Sequence, residues 1–112
     1  MIVCLNHRLI FLANPRCAST SLRRTLDSYS QIKGGESSGL SHHACMRSVE
    51  AHLRGLGHDP DAFDVFTTIR NPWARVVSIY EYGLSNPKSI WHAPATTSGT
   101  FAAFCFHPIL RH

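Results

Sequence analysis

The stretch Leu9-Ile10-Phe11-Leu12-Ala13-Asn14-Pro15-Arg16-Cys17-Ala18-Ser19-Thr20-Ser21-Leu22 constrains the fold more than any other part of the 112-residue chain. Leu9 to Ala13 is apolar without alternation, the pattern of a strand buried on both faces as in a parallel sheet. Pro15 stops it. Leu22 and Leu26 then stand one helical turn apart, which predicts a helix from about Ser19 to Tyr29. Between strand and helix lie one cation, Arg16, the small residues Cys17 and Ala18, and the hydroxyls of Ser19, Thr20 and Ser21. A helix N-terminus offers unpaired backbone N–H groups and partial positive charge, and small residues let the backbone wrap an anion closely. The stretch therefore reads as a cradle for a phosphate or sulfate group, or else as a plain strand-to-helix turn with a Ser/Thr cap. The G-x-x-x-x-G-K-[ST] signature is missing, with no Lys before the hydroxyls and no Gly in the turn, which disfavours an ATPase or GTPase.

The remainder supplies alternating elements. Ile2 to Leu5 reads as a short strand and Ser30 to Ser41 as a loop. A helix is predicted from about His42 to Gly55 with Ser41 at its N-cap, its buried stripe being Met46, Val49, Leu53 and Leu56. Phe63 to Ile69 reads as a buried strand. Asn71 at an N-cap and Pro72 at the first helical position open a further helix through Val76, Val77, Ile79, Tyr80 and Gly83. Ser85 to Gly99 reads as a loop, and Phe101 to Phe106 as a short helix capped by Thr100. The order predicts one α/β domain over residues 1–112, with a parallel sheet. In such sheets ligands sit beyond the carboxyl ends of the strands, so loops Asn14–Ser21 and Arg70–Trp73 can face one pocket.

Composition narrows the ligand. The net charge is +4, from 11 Lys+Arg against 7 Asp+Glu, a mild bias toward anions. Runs of Lys/Arg are absent, so nucleic acid is not an expected partner. Cys4, Cys17, Cys45 and Cys105 form no C-x-x-C motif or disulfide spacing, which points to a reducing compartment. No apolar run approaches the ~20 residues of a membrane span, and residues 1–8 lack a signal-peptide pattern. A cytoplasmic location is expected.

A second motif sharpens the reading. In Arg70-Asn71-Pro72-Trp73-Ala74-Arg75-Val76-Val77-Ser78 an arginine leaves a strand end, and a serine lies about two turns into the following helix. Together they suit a second phosphate, with Arg75 a further cation nearby. Pro15-Arg16-Cys17-Ala18-Ser19-Thr20-Ser21-Leu22 resembles the 5′-phosphosulfate loop of sulfotransferases that use 3′-phosphoadenosine-5′-phosphosulfate (PAPS). Arg70 to Ser78 resembles their 3′-phosphate motif, R-[DN]-P-x-x-R-x-x-S. The nearest branch is the carbohydrate type, including bacterial members and relatives of the heparan sulfate 2-O enzymes.

The resemblance implies a P-loop NTPase-like three-layer fold with a parallel sheet core, of which this chain is the N-terminal portion. Family members run on past this length, so their C-terminal part is expected to be missing. Arg16, Cys17, Ala18, Ser19, Thr20 and Ser21 would hold the phosphosulfate, and Arg70 and Ser78 the 3′-phosphate. Arg16 stands where this branch usually has Lys, and Ser19 where it has Gly. The implied reaction is sulfuryl transfer from PAPS, without a metal, to a hydroxyl acceptor, expected to be a glycan. Arg16 would neutralise charge on the leaving phosphate. Histidine suits the base because it titrates near neutrality, and the family pattern points to His43, with His42 in reserve. His42, His43 and Cys45 fall short of a four-ligand zinc set. Two other readings stay open: a non-catalytic PAPS-binding module, and a P-loop kinase-like phosphotransferase.

Overall fold

Ile2–Cys4 (β1) and Leu9–Leu12 (β2) are joined by one 3-10 turn, Leu5–His7, and by Arg8 in the left-handed region at φ 50°. So short a link cannot cross a sheet, so the strands pair antiparallel, with Val3 opposite Ile10. The computed structural model describes residues 1–111, and the sheet they form is mixed. Ile32–Lys33 (β3) lies antiparallel on β1, and Asp64–Thr67 (β4) lies parallel to β2, in the order β3-β1-β2-β4. The expectation of a parallel sheet core is therefore corrected: only the β2–β4 pair is parallel. The molecule is a mixed α/β protein.

The chain divides into two compact units, Met1–Ile69 and Arg70–His112. In the first, side chains alternate across the sheet. Ile2, Cys4, Phe11 and Ala13 pack with Leu22 and Leu26 of α1 (Ser19–Leu26). On the other face Met1, Val3, Ile10 and Ile32 pack with Val49 and Leu53 of α2 (Met46–Gly55). A helix on each face is why Leu9 to Ala13 carries no polar alternation.

Helix α2 begins four residues later than the expected start at His42. The Ala44 N–H closes a turn onto the Ser41 carbonyl, and the Ser41 hydroxyl accepts from the His43 N–H instead of capping a helix. His42 and His43 thus stand in a turn ahead of α2.

The second unit is helical. Asn71 Oδ1 accepts from the N–H groups of Trp73 (3.0 Å) and Ala74 (3.3 Å), with Pro72 opening α3 (Pro72–Ser85). Helices α4 (His92–Thr97) and α5 (Phe101–Cys105) follow, α5 capped by Thr100, whose hydroxyl accepts from the Ala103 N–H. Ile79, Ala95 and Phe104 form the core, flanked by Val76, Tyr80, Trp91 and Leu110. Gly83 of α3 lies so close to α4 that a Cβ there would stand 2.7 Å from the Trp91 carbonyl oxygen.

Candidate functional site

The loop after β2 is held in an unusual backbone shape. The Cys17 N–H donates to the Asn14 carbonyl at 3.3 Å, closing a turn with Pro15 second and Arg16 third. Arg16 has φ 61°, the sign a type II turn needs at its third residue and one that normally selects Gly. Ala18, the N-cap of α1, also has φ 61°. Two left-handed residues without glycine, one on each side of Cys17, cost roughly 1–2 kcal/mol each. Ser19 is not among the residues of positive φ, so the fold does not require the glycine that the resemblance leads one to expect there.

The N-cap residue does not close the start of α1. Ala18 has no side chain able to cap, so the first N–H groups of α1 receive no side-chain acceptor from the N-cap. Helix α3, by contrast, has two of its first donors taken up by Asn71. Around the start of α1 stand the exposed Thr20 and Ser21, the half-buried Ser19 and the half-buried Arg16. Partial positive charge, N–H donors and three hydroxyls suit a tetrahedral oxyanion. Cys17 is 3% exposed and fills space beneath the loop.

The loop is tied to the chain that follows β4. The Thr68 hydroxyl donates to the Cys17 carbonyl, and Asn14 Nδ2 donates to the Thr68 carbonyl at 3.5 Å. The Thr67 hydroxyl donates to the Leu12 carbonyl at 2.7 Å. Sequence reasoning missed Thr67 and Thr68, because nothing in a β-branched strand end announces a cross-strand contact. Arg70 follows Thr68 by two residues in the chain and opens the second unit.

His43 reaches the loop. Its Nδ1 lies 2.7 Å from the Ala13 carbonyl oxygen at the end of β2. A carbonyl only accepts, so Nδ1 carries the proton, and in the neutral ring Nε2 holds the free lone pair. The imidazole is thereby anchored at one edge and basic at the other. His42 turns elsewhere. Its ring lies against Gly35, and its carbonyl accepts from the Met1 amine. Burial, then the charge of Arg23, the Met1 amine and His43, lower its pKa.

In the second unit Arg70 is exposed just ahead of the Asn71 cap, and Arg75 and Ser78 are half-buried along α3. Cys45 is exposed, and its thiol pKa is lowered first by a hydrogen bond with the Ser48 hydroxyl, 3.4 Å away. Among the described residues no group of three or more His, Cys, Asp or Glu could hold a metal, and no helix is long and apolar enough to cross a membrane. Set against known proteins, the chain matches no family model, no curated protein and no solved structure.

Proposed function

We propose that the chain belongs to a sulfotransferase that moves the sulfuryl group of PAPS to a hydroxyl acceptor, a glycan. The observation that carries the reading is the hydrogen bond from His43 Nδ1 to the Ala13 carbonyl, which fixes the imidazole by one edge at the end of β2, where the chain enters the loop that leads to α1. The Arg70-to-Ser78 motif supports it independently.

In this reading the N–H groups of α1 and the hydroxyls of Ser19, Thr20 and Ser21 bind the 5′-phosphosulfate. Arg70 and Ser78 take the 3′-phosphate. Nε2 of His43 removes the acceptor hydroxyl proton as that oxygen bonds to sulfur and the bond from sulfur to the 5′-phosphate oxygen breaks. Arg16 offsets the charge released on that oxygen. The Ala13 carbonyl keeps the ring in the tautomer this requires and stabilises the imidazolium that forms.

Thermal unfolding with adenosine 3′,5′-bisphosphate and with AMP tests the reading. At about 100 times its Kd a ligand adds about 2.7 kcal/mol, several degrees in Tm for a chain of this size. The bisphosphate should give that shift, AMP less, and Arg70→Ala should erase the difference. Equal shifts with both nucleotides would refute the assignment. His43→Gln should abolish transfer of labelled sulfate to a mixed glycan panel while leaving the bisphosphate shift intact. Binding without transfer in the wild type would leave a PAPS-binding module.

A further inference from the structure

Beside the loop, on the flank of α1, lies a cleft of about 350 Å3 lined by Ile2, Thr20, Arg23, Arg24, Asp27 and Lys33. Of these only Thr20 belongs to the set assigned to the phosphosulfate. Thr20, Arg23, Arg24 and Asp27 follow the i, i+3, i+4, i+7 spacing of one helix face. Lys33 enters from β3 and Ile2 from β1, so the cleft is built by three elements and is no accident of one helix.

Three cations thus share the cleft with one carboxylate. That carboxylate is engaged: Asp27 Oδ1 lies 2.5 Å from Lys33 Nζ. Among the described residues neither Arg23 nor Arg24 is in an ion pair. Arg23 is half-buried, and its charge lowers the pKa of both His42 and the Met1 amine. Three cations against one engaged carboxylate leave the cleft with a net positive charge, which an incoming anion offsets. Guanidinium groups match sulfate, phosphate and carboxylate in two-pronged geometry, and a cleft with walls holds the field better than a flat face.

We infer that this cleft is an anion-binding site in its own right, taking a ligand with at least two negative groups of the phosphate or sulfate kind. Arg23 and Arg24 grip one group, Lys33 takes a second in exchange for Asp27, and Ile2 gives the apolar floor. The ligand is either a small free polyanion or the charged groups of an acidic saccharide.

Calorimetric titration of the full chain separates the two sources, with tripolyphosphate, sulfated dextran oligosaccharide and neutral dextran as probes. Tripolyphosphate binding assigns a free polyanion, and binding of the sulfated dextran alone assigns a saccharide. The double variant Arg23→Gln, Arg24→Gln should weaken the anionic probe at least about tenfold, in line with the loss of two charge-assisted contacts. Asp27→Asn should tighten it about fivefold, the effect of one unit charge at about 4 Å in water. That gain cannot come from a folding defect. Arg54→Gln, a cation of α2 outside the cleft, should change nothing. The inference falls if neutral dextran binds as well as the sulfated form, if neither anionic probe binds, if the double variant binds unchanged, or if Asp27→Asn gives no gain. It also falls if Arg16→Ala weakens binding as much as the double variant, since the anion would then sit in the loop. None of these readouts requires PAPS, so loss of the bisphosphate preference and loss of this site are separate results.

Discussion

Replacing Gly83 by Ala sets two effects of known size against each other. On helix propensity alone alanine in the interior of α3 is favoured by about 1 kcal/mol. The structure opposes this. The new Cβ would stand 2.7 Å from the Trp91 carbonyl oxygen and 2.9 Å from the Ala95 Cβ. The first atom is backbone and cannot swing aside, so α4 must shift as a body. Overpacking of this kind costs roughly 1–3 kcal/mol. The shift also loosens the hydrogen bond of 2.7 Å between His92 Nδ1 and the Gly83 carbonyl, worth about 1 kcal/mol. The expected net loss is about 1–3 kcal/mol. The assay is urea unfolding followed by tryptophan fluorescence. Both tryptophans, Trp73 and Trp91, lie in the second unit, so the signal reports that unit alone. The midpoint should fall. A midpoint raised by the equivalent of 1 kcal/mol would mean that α3 and α4 do not meet at Gly83, and the packing described here would be wrong.

Far-UV circular dichroism follows both units and tests the loop. Ala18→Gly removes left-handed strain at the N-cap of α1 and should raise stability by up to about 1 kcal/mol, whereas Ala18→Val should lower it by about 1 kcal/mol or more. A loss with glycine would show that residue 18 is not left-handed. Because the pKa of His42 is lowered, the folded chain binds fewer protons there than the unfolded chain, whose value is about 6.5. That contribution is complete above about pH 6.5 and is lost as pH falls through this value toward the lower folded one. Wild type should therefore lose more stability than His42→Gln between about pH 7.5 and about pH 5.5, and an equal loss would contradict the shift. Alkylation with iodoacetamide, read by peptide mass spectrometry, should modify Cys45 well before Cys4, which is buried and whose thiol pKa is raised by that burial. Comparable rates would refute the burial of Cys4.

The strand, loop and helix from Leu9 to Leu26 were legible because continuous apolarity, a proline and a spacing of four are strong local signals. The Asn71–Pro72 helix start was legible for the same reason. What escaped was tertiary. The antiparallel run of β1 follows from the brevity of the link at Leu5–Arg8, which outweighs the apolar pattern that suggested parallel strands. The strand Ile32–Lys33 has two residues, too few for any period to show. Helix α4 was concealed by Pro94, harmless in a first turn, and by threonines that favour other structures in isolation. Helix α2 was begun too early because a serine ahead of a helix can close a turn as well as cap. The same turn places His43, so its reach to Ala13 had no local signature either.

The contacts that shape the loop span long stretches of chain, 51 residues from Thr68 to Cys17 and 55 from Thr67 to Leu12. The β1–β2 hairpin needs only local closure, whereas β4 must return across that distance before the loop can be clamped. Closing that clamp therefore carries the larger loop-closure cost. A ligand seated in the loop would slow the departure of β4, so the amides of that edge strand, and not those of the hairpin, become the natural clock for occupancy in a hydrogen-exchange experiment.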